Sequence, residues 1–221
     1  MKDSLLIAGK IDHTLLRSDA NMEEIKQLCI DAIHYKFYSI CVNPIWLTYV
    51  NDIIKGSGVN LCTVIGFPLG ASFTSNKLFE LDKSIEHGAA EIDMVMNIGF
   101  FKDKKYNIIS EEIKKIVQLA NGRVIKVIIE SGLLVKEEIE IASRMIEECG
   151  ANFIKTSTGF SNFGASTEII KIIKSSISSN MQIKASGGIS TSKQALNLLE
   201  VGADRIGSSA SVIIMKELLD N

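Results

Sequence analysis

Lysines within two predicted buried strands are the first candidates for chemistry. Lys155 lies in ANFIKTSTGF (151–160), a run that otherwise has the apolar and small hydroxyl-bearing residues of a strand end. Lys184 lies in QIKASGG (182–188), the next such run. A free lysine titrates at about pH 10.4, but desolvation and a cationic neighbour both favour the neutral amine. A neutral buried amine can attack a carbonyl to give a Schiff base, whose iminium withdraws electrons from an adjacent C–C bond.

Strands and helices that alternate along the chain must position these lysines. Short apolar runs rich in β-branched residues alternate with longer stretches of helical period along the chain. Asn21 with Glu24 predicts a capping box that starts one helix, and Thr191 with Gln194 predicts another. The runs predicted to be strands are IDHTLL (from residue 11), FYSICV (37), NLCTVIGF (60), EIDMVMN (91), VIKVIIE (124), NFIKTST (152), QIKASG (182) and DRIGSS (204).

The eight strand and helix units determine the predicted fold class. Such repetition requires a parallel sheet of the α/β class, and eight units close most naturally into a (β/α)8 TIM barrel. An open doubly wound sheet is the alternative. No linker or low-complexity segment divides the chain, so we expect a single TIM-barrel domain over residues 1–221.

A repeated frame predicts which side chains share the barrel interior with Lys155. The pattern G-A-x-x-I-x occurs in HGAAEID (87–93), CGANFIK (149–155) and VGADRIG (201–207), with a weaker copy in YKFYSIC (35–41). Its last positions are Cys41, Asp93, Lys155 and Gly207. Even-numbered strands contribute one layer of interior side chains, so we expect Lys155 and Asp93 in one layer. Lys184 should lie beside Lys155, because adjacent strands are about 4.8 Å apart. A structural ion pair is the alternative interpretation.

Small residues follow predicted strands six, seven and eight. TSTGF follows Lys155, ASGGIST follows Lys184, and GSSAS spans 207–211. Glycine lets the backbone approach an anion, N–H groups at the start of the next helix point toward it, and Ser and Thr add hydroxyl donors. We therefore expect a phosphate site at these strand ends, where barrels of this class often carry one.

Composition excludes several other function classes. The formal net charge is -2, from 24 basic and 26 acidic residues spread without the basic stripe typical of nucleic-acid binding. No window approaches about 18 uninterrupted apolar residues, and the N-terminus lacks the pattern of a signal peptide. We therefore expect a cytoplasmic protein with no membrane partner. The four cysteines form no C-x-x-C pair and have no histidine nearby at ligand spacing, which argues against a zinc site.

Several motifs together resemble one enzyme family. IDHTLL, CVNP, TVIGFPLG, GAAEIDMVMNIG, KVIIE, FIKTSTGF, IKASGGI and RIGSSAS occur in the order and near the spacing of blocks in deoxyribose-phosphate aldolases, which are class I aldolases with a TIM-barrel fold. The resemblance implies reversible cleavage of 2-deoxy-D-ribose 5-phosphate to D-glyceraldehyde 3-phosphate and acetaldehyde, in deoxyribonucleotide catabolism. It implies a phosphosugar substrate and neither metal nor organic cofactor, and it suggests a homodimer.

The same resemblance implies roles for individual residues. Lys155 would be the Schiff-base lysine, Lys184 the second lysine that perturbs it and joins proton transfer, and Asp93 the carboxylate that acts through water as acid and base. Asp12 in IDHT would complete the polar network. Cys41 would line the site by packing. The implied substrate contacts, mostly through backbone N–H groups around the phosphate, are Cys41, Thr158, Gly159, Gly187, Gly188, Gly207 and Ser209.

Some positions depart from the family's pattern around this site. They are Ser161 and Phe163 where the family has glycine, Ser166 where it has threonine, Ser190 in place of a common arginine, and Ser131 and Gly132 in place of a common Thr-Cys. The roles of Lys126 and Glu130 stay open, and alternation allows them to pair inside the barrel.

Three function hypotheses remain from the residues alone. They are a lyase that uses an iminium, a phosphosugar isomerase or epimerase, and a noncatalytic sugar-phosphate binder. An isomerase would need a carboxylate or histidine base at the substrate carbon and no covalent amine, so the two lysines favour the lyase. The family resemblance supports the same choice and supplies the substrate.

Overall fold

A computed structural model describes residues 6–220 and shows a closed barrel of parallel strands in chain order. The strands are β1 Ile11–Leu15, β2 Ser39–Val42, β3 Asn60–Ile65, β4 Glu91–Val95, β5 Val124–Ile128, β6 Phe153–Lys155, β7 Gln182–Ser186 and β8 Arg205–Ser208. Each predicted run contains one of these strands, and the barrel is closed by pairing of β1 with β8. The predicted (β/α)8 fold is confirmed. Residues 1–5 and 221 of the predicted domain lie outside the described residues.

Helices connect successive strands and cover the barrel. They are α1 Met22–Tyr35, α2 Leu47–Ile54, α3 Thr74–Glu86, α4 Ile98–Lys102, α5 Tyr106–Ala120, α6 Lys136–Glu148, α7 Thr167–Ser176, α8 Ser192–Glu200 and α9 Ser211–Leu219. Short 3-10 helices span Pro44–Trp46 and Ser131–Leu133. The predicted capping boxes are present at Asn21 and Thr191. Among the described residues, no helix is both long and apolar enough to cross a membrane.

The repeated frame has a simple structural meaning. Its glycine has a positive φ in each strong copy, 95° at Gly88, 81° at Gly150 and 116° at Gly202, where a side chain would be strained. Its isoleucines are fully buried in the main core: Ile40, Ile92, Ile154 and Ile206. Because side chains alternate along a strand, the residue after each isoleucine points into the barrel. The frame therefore places an interior position at the same height on every even-numbered strand, with side chains at Cys41, Asp93 and Lys155 and none at Gly207.

Candidate active site

Charged side chains fill the barrel interior. The carboxylates are Asp12, Glu91 and Asp93, and the cations are Lys126, Lys155, Lys184 and Arg205. All of them are buried. Buried charges are stable only when they are paired and hydrogen-bonded, so these side chains must be considered as one network.

Asp93 is the centre of this network. Its Oδ2 accepts hydrogen bonds from Lys155 Nζ at 2.8 Å and from Lys184 Nζ at 2.7 Å. Its Oδ1 accepts from Lys126 Nζ at 2.9 Å and from Cys62 Sγ at 3.3 Å. The expected juxtaposition of Asp93 and Lys155 is therefore observed. One carboxylate oxygen is shared by two ammonium groups, which is the feature that most distinguishes this site.

Lys184 lies opposite Lys155 in the register of β6 and β7, as the sequence predicted. Its Nζ also lies 2.5 Å from Asp12 Oδ2. Burial lowers the pKa of Lys184, but the carboxylates of Asp12 and Asp93 outweigh burial and raise that pKa above its ordinary value. Repulsion between ammonium groups, which the sequence suggested, is therefore not the dominant influence on Lys184. Lys184 is therefore held as a cation in the resting network.

The carboxylates of the network are held ionised. Burial raises the pKa of Asp93, but Lys126, Lys155 and Lys184 together lower it well below its ordinary value. Burial likewise raises the pKa of Asp12, and the charge of Lys184 is the largest of the effects that bring it below the ordinary value. Asp93 is therefore an anion in the resting network.

The sequence interpretation missed the charged layer beneath Asp93. Arg205 Nη1 lies 2.8 Å from Asp12 Oδ1 and 3.4 Å from Glu91 Oε2, and its guanidinium lies 3.4 Å from the centre of the Tyr38 ring. The signal was available in the repeated frame. Glu91 and Arg205 occupy the position before its isoleucine, two residues before Asp93 and Gly207, so the same alternation places them in the next layer.

Lys126 and Glu130 do not pair, and the expectation that they could is corrected. Lys126 lies opposite Asp93 in the strand register and contacts Glu91 Oε2 at 2.6 Å. Glu130 follows the end of β5 in a left-handed backbone conformation, and its carboxylate accepts from Thr158. Alternation holds only within a strand, so it does not extend to Glu130.

A cavity of about 690 Å³ opens above the network at the C-terminal ends of the strands. Lys155 lines it, whereas Lys126 and Lys184 are fully buried below. The expected substrate-binding residues line the same cavity, with the exception of Cys41: Thr158, Gly159, Gly187, Gly188, Gly207 and Ser209. Residues that the sequence did not suggest also contribute, among them Arg17 and Phe160.

Cys41 lies in a separate small apolar cluster. It packs with Leu16, Cys62 and Val64, against Phe67, and is not among the described residues that line the cavity. Interaction with the neighbouring Cys62 thiol lowers the pKa of the Cys41 thiol. Cys41 thus contributes packing beneath one wall of the barrel mouth, and direct contact with substrate remains a prediction.

The sulfur and carboxylate atoms at this wall could in principle be metal ligands. Cys41, Cys62 and Asp93 bring ligand atoms within 4.8 Å of one another. However, Lys126 Nζ already contacts both Cys62 Sγ, at 3.4 Å, and Asp93 Oδ1. An ammonium group already contacts two of these three ligand groups, so this donor set does not fit a metal ion.

Glycines shape the end of the cavity where the sequence predicts phosphate contacts. Gly159, Gly187 and Gly188 have positive φ values of 85°, 91° and 73°, which glycine adopts without strain. Because glycine has no side chain, the backbone at these positions is not covered by a side chain of its own. Gly207 serves a second purpose, because a Cβ at this position would lie 2.9 Å from Lys184 Cε. A small residue at the end of β8 is therefore needed for the Lys184 side chain to reach Asp93.

The departures from the family's pattern lie in the loops after β5, β6 and β7. A Cβ on Gly132 would lie 2.2 Å from Phe163 Cβ, so Phe163 packs where Gly132 has no side chain. Ser166 caps α7 by accepting from Ile169 N at 3.2 Å. Ser190 N donates to Gln194 Oε1 at 2.9 Å at the start of α8. Each of these departures from the family's pattern is thus accommodated by local contacts in this chain.

Comparison with known proteins agrees with this geometry. A family model described as DeoC/LacD family aldolase matches residues 6–210. The chain is 48% identical over 206 residues to deoxyribose-phosphate aldolase 1 of Mesoplasma florum, covering 93% of this chain and 94% of that protein. It is 47% identical to the Dictyoglomus turgidum deoxyribose-phosphate aldolase, covering 96% and 97%. The tetrameric Aeropyrum pernix deoxyribose phosphate aldolase structure has 31% identity and a TM-score of 0.93, covering 99% and 93%.

Proposed function

The chain belongs to the DeoC/LacD family of aldolases, which are carbon–carbon lyases, and on that premise we propose that it cleaves 2-deoxy-D-ribose 5-phosphate to D-glyceraldehyde 3-phosphate and acetaldehyde. The reaction is reversible and proceeds through a Schiff base on Lys155. One observation carries the proposal: of the interior lysines, Lys155 alone lines the cavity, and it shares Asp93 Oδ2 with Lys184.

Lys155 has the contacts expected of the nucleophile. Its only ion pair among the described residues is with Asp93, whereas Lys126 and Lys184 each contact more than one carboxylate. Since Lys184 also binds Asp93 Oδ2, Asp93 keeps cationic partners when Lys155 reacts. Lys155 thus presents its amine at the floor of the cavity, where a carbonyl can reach it.

The steps follow from an amine and an aldehyde. Lys155 Nζ attacks C1 of the open-chain sugar, and the carbinolamine loses water to give an iminium. A base removes the proton of the C3 hydroxyl, the C2–C3 bond breaks, and its electrons form an enamine on C2 while C3 leaves as the aldehyde of glyceraldehyde 3-phosphate. Protonation at C2 and hydrolysis release acetaldehyde and restore the amine.

Asp93 and Lys184 serve the proton transfers. Asp93 is held ionised by three lysines and accepts protons through a water molecule. Lys184 is held protonated by Asp12 and Asp93 and returns a proton to the carbinolamine or the enamine. Asp12 acts indirectly, because it contacts Lys184 and Arg205 and lies below the cavity floor.

The phosphate binds at the glycine-rich end of the cavity. Backbone N–H groups around Gly159, Gly187, Gly188 and Ser209 can surround a dianion there. Arg17 is the one cationic side chain besides Lys155 among the described residues that line the cavity. We also propose a cytoplasmic location and a homodimer, the latter to be tested by light scattering of the purified protein.

Trapping of the covalent intermediate tests the proposal. The protein is incubated with 2-deoxyribose 5-phosphate or acetaldehyde, reduced with borohydride, and its modified peptide is mapped by mass spectrometry. We expect an adduct at Lys155 and none at Lys77, a buried lysine outside the barrel. An adduct at Lys184 would exchange the roles of the two lysines. Active protein without an adduct would contradict the Schiff-base mechanism and favour an isomerase.

A further inference from the structure

Glu130 is a buried carboxylate that the reaction steps do not use. It is 6% exposed, and no ion pair among the described residues includes it. Instead its oxygens accept from Thr158 Oγ1 at 2.5 Å, Thr158 N at 3.3 Å and Ser161 Oγ at 3.0 Å. A buried carboxylate is stable here because a loop supplies its donors.

The backbone of Glu130 is strained. Its φ of 47° and ψ of 61° lie in the left-handed region, which side chains other than glycine rarely adopt. Such strain persists where surrounding contacts require it, and it is concentrated at functional sites. At Glu130 the left-handed residue ends the extension of β5 and starts the Ser131–Leu133 turn, while its carboxylate reaches the loop after β6.

That loop forms one wall of the cavity. Thr158, Gly159 and Phe160 line it, on the side of the expected phosphate contacts. The single O–H proton of Thr158 is donated to Glu130, so its oxygen can accept from Phe160 N, at 3.1 Å. Glu130 therefore holds the N–H of Thr158 directly and the N–H of Phe160 through the Thr158 hydroxyl, before and after Gly159.

The far end of the same loop meets the other glycine-rich turn. Ala165 N donates to Gly187 O at 3.1 Å. A Cβ on Gly164 would lie 2.2 Å from Gly187 O, so this close approach requires glycine. With Glu130 at one end and Gly187 at the other, the loop is held in register with the backbone groups that face the phosphate.

We propose that Glu130 is a positioning residue that holds the 158–161 loop in its phosphate-binding shape, and so sets the preference for phosphorylated over unphosphorylated sugar. The inference rests on the proposed aldolase function. A carboxylate suits this position because it only accepts hydrogen bonds, and each of its three partners is a donor. A glutamine amide would turn its NH2 group toward one of these donors.

Comparison of two substrates tests the inference. kcat/KM is measured for 2-deoxy-D-ribose 5-phosphate and for 2-deoxy-D-ribose. In Glu130→Ala we expect kcat/KM for the phosphorylated sugar to fall about ten-fold or more, mainly through KM, because several hydrogen bonds that order the loop are lost. The value for the unphosphorylated sugar should change little. Glu130→Gln should lie between the wild type and Glu130→Ala for the phosphorylated sugar.

Glu147 provides a matched control. It makes the same kind of clamp on a loop before β7, where its carboxylate accepts from Ser178 N at 3.0 Å and Ser178 Oγ at 2.5 Å, away from the cavity. Glu147→Ala should leave the ratio of the two kcat/KM values unchanged. Glu130→Gly, which tolerates the left-handed backbone, replaces Glu130→Ala if the latter does not fold.

The outcomes are distinguishable. An equal loss for both sugars, or an unchanged ratio in Glu130→Ala, would overturn the positioning role. A wild-type protein that cleaves neither sugar would contradict the proposed function itself, before any variant is compared. A selective loss with the phosphorylated sugar, absent from the Glu147 variant, is the result that supports the inference.

Discussion

Lysine is buried with carboxylates in two regions of this protein, inside the barrel and between the barrel and its helices. In the outer region Lys77 Nζ lies 2.7 Å from Glu112 Oε2 and donates to Val95 O at 2.9 Å. The other oxygen of Glu112 accepts from Thr74 Oγ1 at 3.0 Å. Each group there has its own partners, and the contacts connect α3, α5 and the end of β4.

The barrel interior differs because it contains more cations than carboxylates, so that its carboxylates are shared. The four cations Lys126, Lys155, Lys184 and Arg205 meet the three carboxylates Asp12, Glu91 and Asp93, so at least two cations must share a carboxylate. In the outer pair, Lys77 is the only cation paired with Glu112 among the described residues, so its removal would leave Glu112 an unpaired buried charge. In the interior, Asp93 keeps Lys126 and Lys184 as partners if Lys155 is removed or reacts. A buried lysine can therefore have either a structural or a reactive role. The numbers of cations and carboxylates around it decide which role it has.

Among the variants discussed below, removal of Lys184, which shares Asp93 with Lys155, should have the largest effect on turnover. In Lys184→Met we expect kcat/KM to fall by about 10²-fold to 10⁴-fold, because the proton donor next to the reacting amine is lost. Folding should persist, since Asp93 retains Lys126 and Lys155. Steady-state kinetics and thermal unfolding measure the two properties separately. Full activity of the variant would place Lys184 with the structural lysines.

The outer pair should respond in the opposite way. Lys77→Met leaves Glu112 buried without a cation and should lower the free energy of unfolding by about 3–5 kcal/mol. kcat/KM of the folded variant should match the wild type. Denaturant unfolding with activity assays tests this. In the double variant Lys77→Met, Glu112→Leu most of the stability should return, because an apolar pair replaces both charges. Loss of turnover without loss of stability would contradict the comparison.

The pH dependence of stability adds His13 to the comparison of buried titratable groups. It lies beside Asp12 on β1 but its ring is 5.0 Å from Phe37, and among the described contacts its Nδ1 has no hydrogen-bond partner. Burial lowers the pKa of His13 to about 4, against opposing effects of Asp31 and the Ser208 backbone. The unfolded chain, with a pKa of about 6.5, therefore binds more protons between pH 6.5 and 4, so stability falls on acidification by about 3 kcal/mol.

His13→Phe should remove this dependence. The free energy of unfolding, measured by denaturant titration from pH 7 to 4.5, should decline less steeply in the variant than in the wild type. The depressed pKa values of Asp12 and Asp93 stabilise the fold above about pH 4, and that contribution is lost only at lower pH. Equal slopes in the two proteins would show that His13 is not the group that titrates.

The smallest effect is expected at the exposed rim. The Arg17 side chain is 50% exposed and pairs with Asp19 at 2.6 Å and Glu24 at 2.5 Å. Arg17→Gln should raise KM for the phosphorylated sugar by up to about ten-fold at low ionic strength, and less in salt, because an exposed charge is screened. kcat should not change. Arg17→Lys is the matched control that keeps the charge, and an unchanged KM in Arg17→Gln would exclude a contact with phosphate.

Local patterns explain what could be predicted. Alternation placed Asp93 and Lys155 inside the barrel, and cap residues three positions apart identified the starts of α1 and α8. The same alternation, applied one step earlier in the frame, would have found Glu91 and Arg205. The role of Glu130 could not be found this way, because its partners Thr158 and Ser161 belong to a different βα unit and its backbone leaves the strand conformation.

By itself, the sequence determined the strand and helix units, the side of each strand that faces the interior, and the lysines and carboxylate gathered there. These properties depend on residues a few positions apart, where period and caps act. Only the closed barrel decided which charge meets which. Arg205 reaches Asp12 from 193 positions away because β8 pairs with β1, and Asp93 Oδ2 is shared because β4, β6 and β7 aim at one axis. Ion pairing acts over a few ångströms of space regardless of separation along the chain, so the tertiary structure set the protonation of the site.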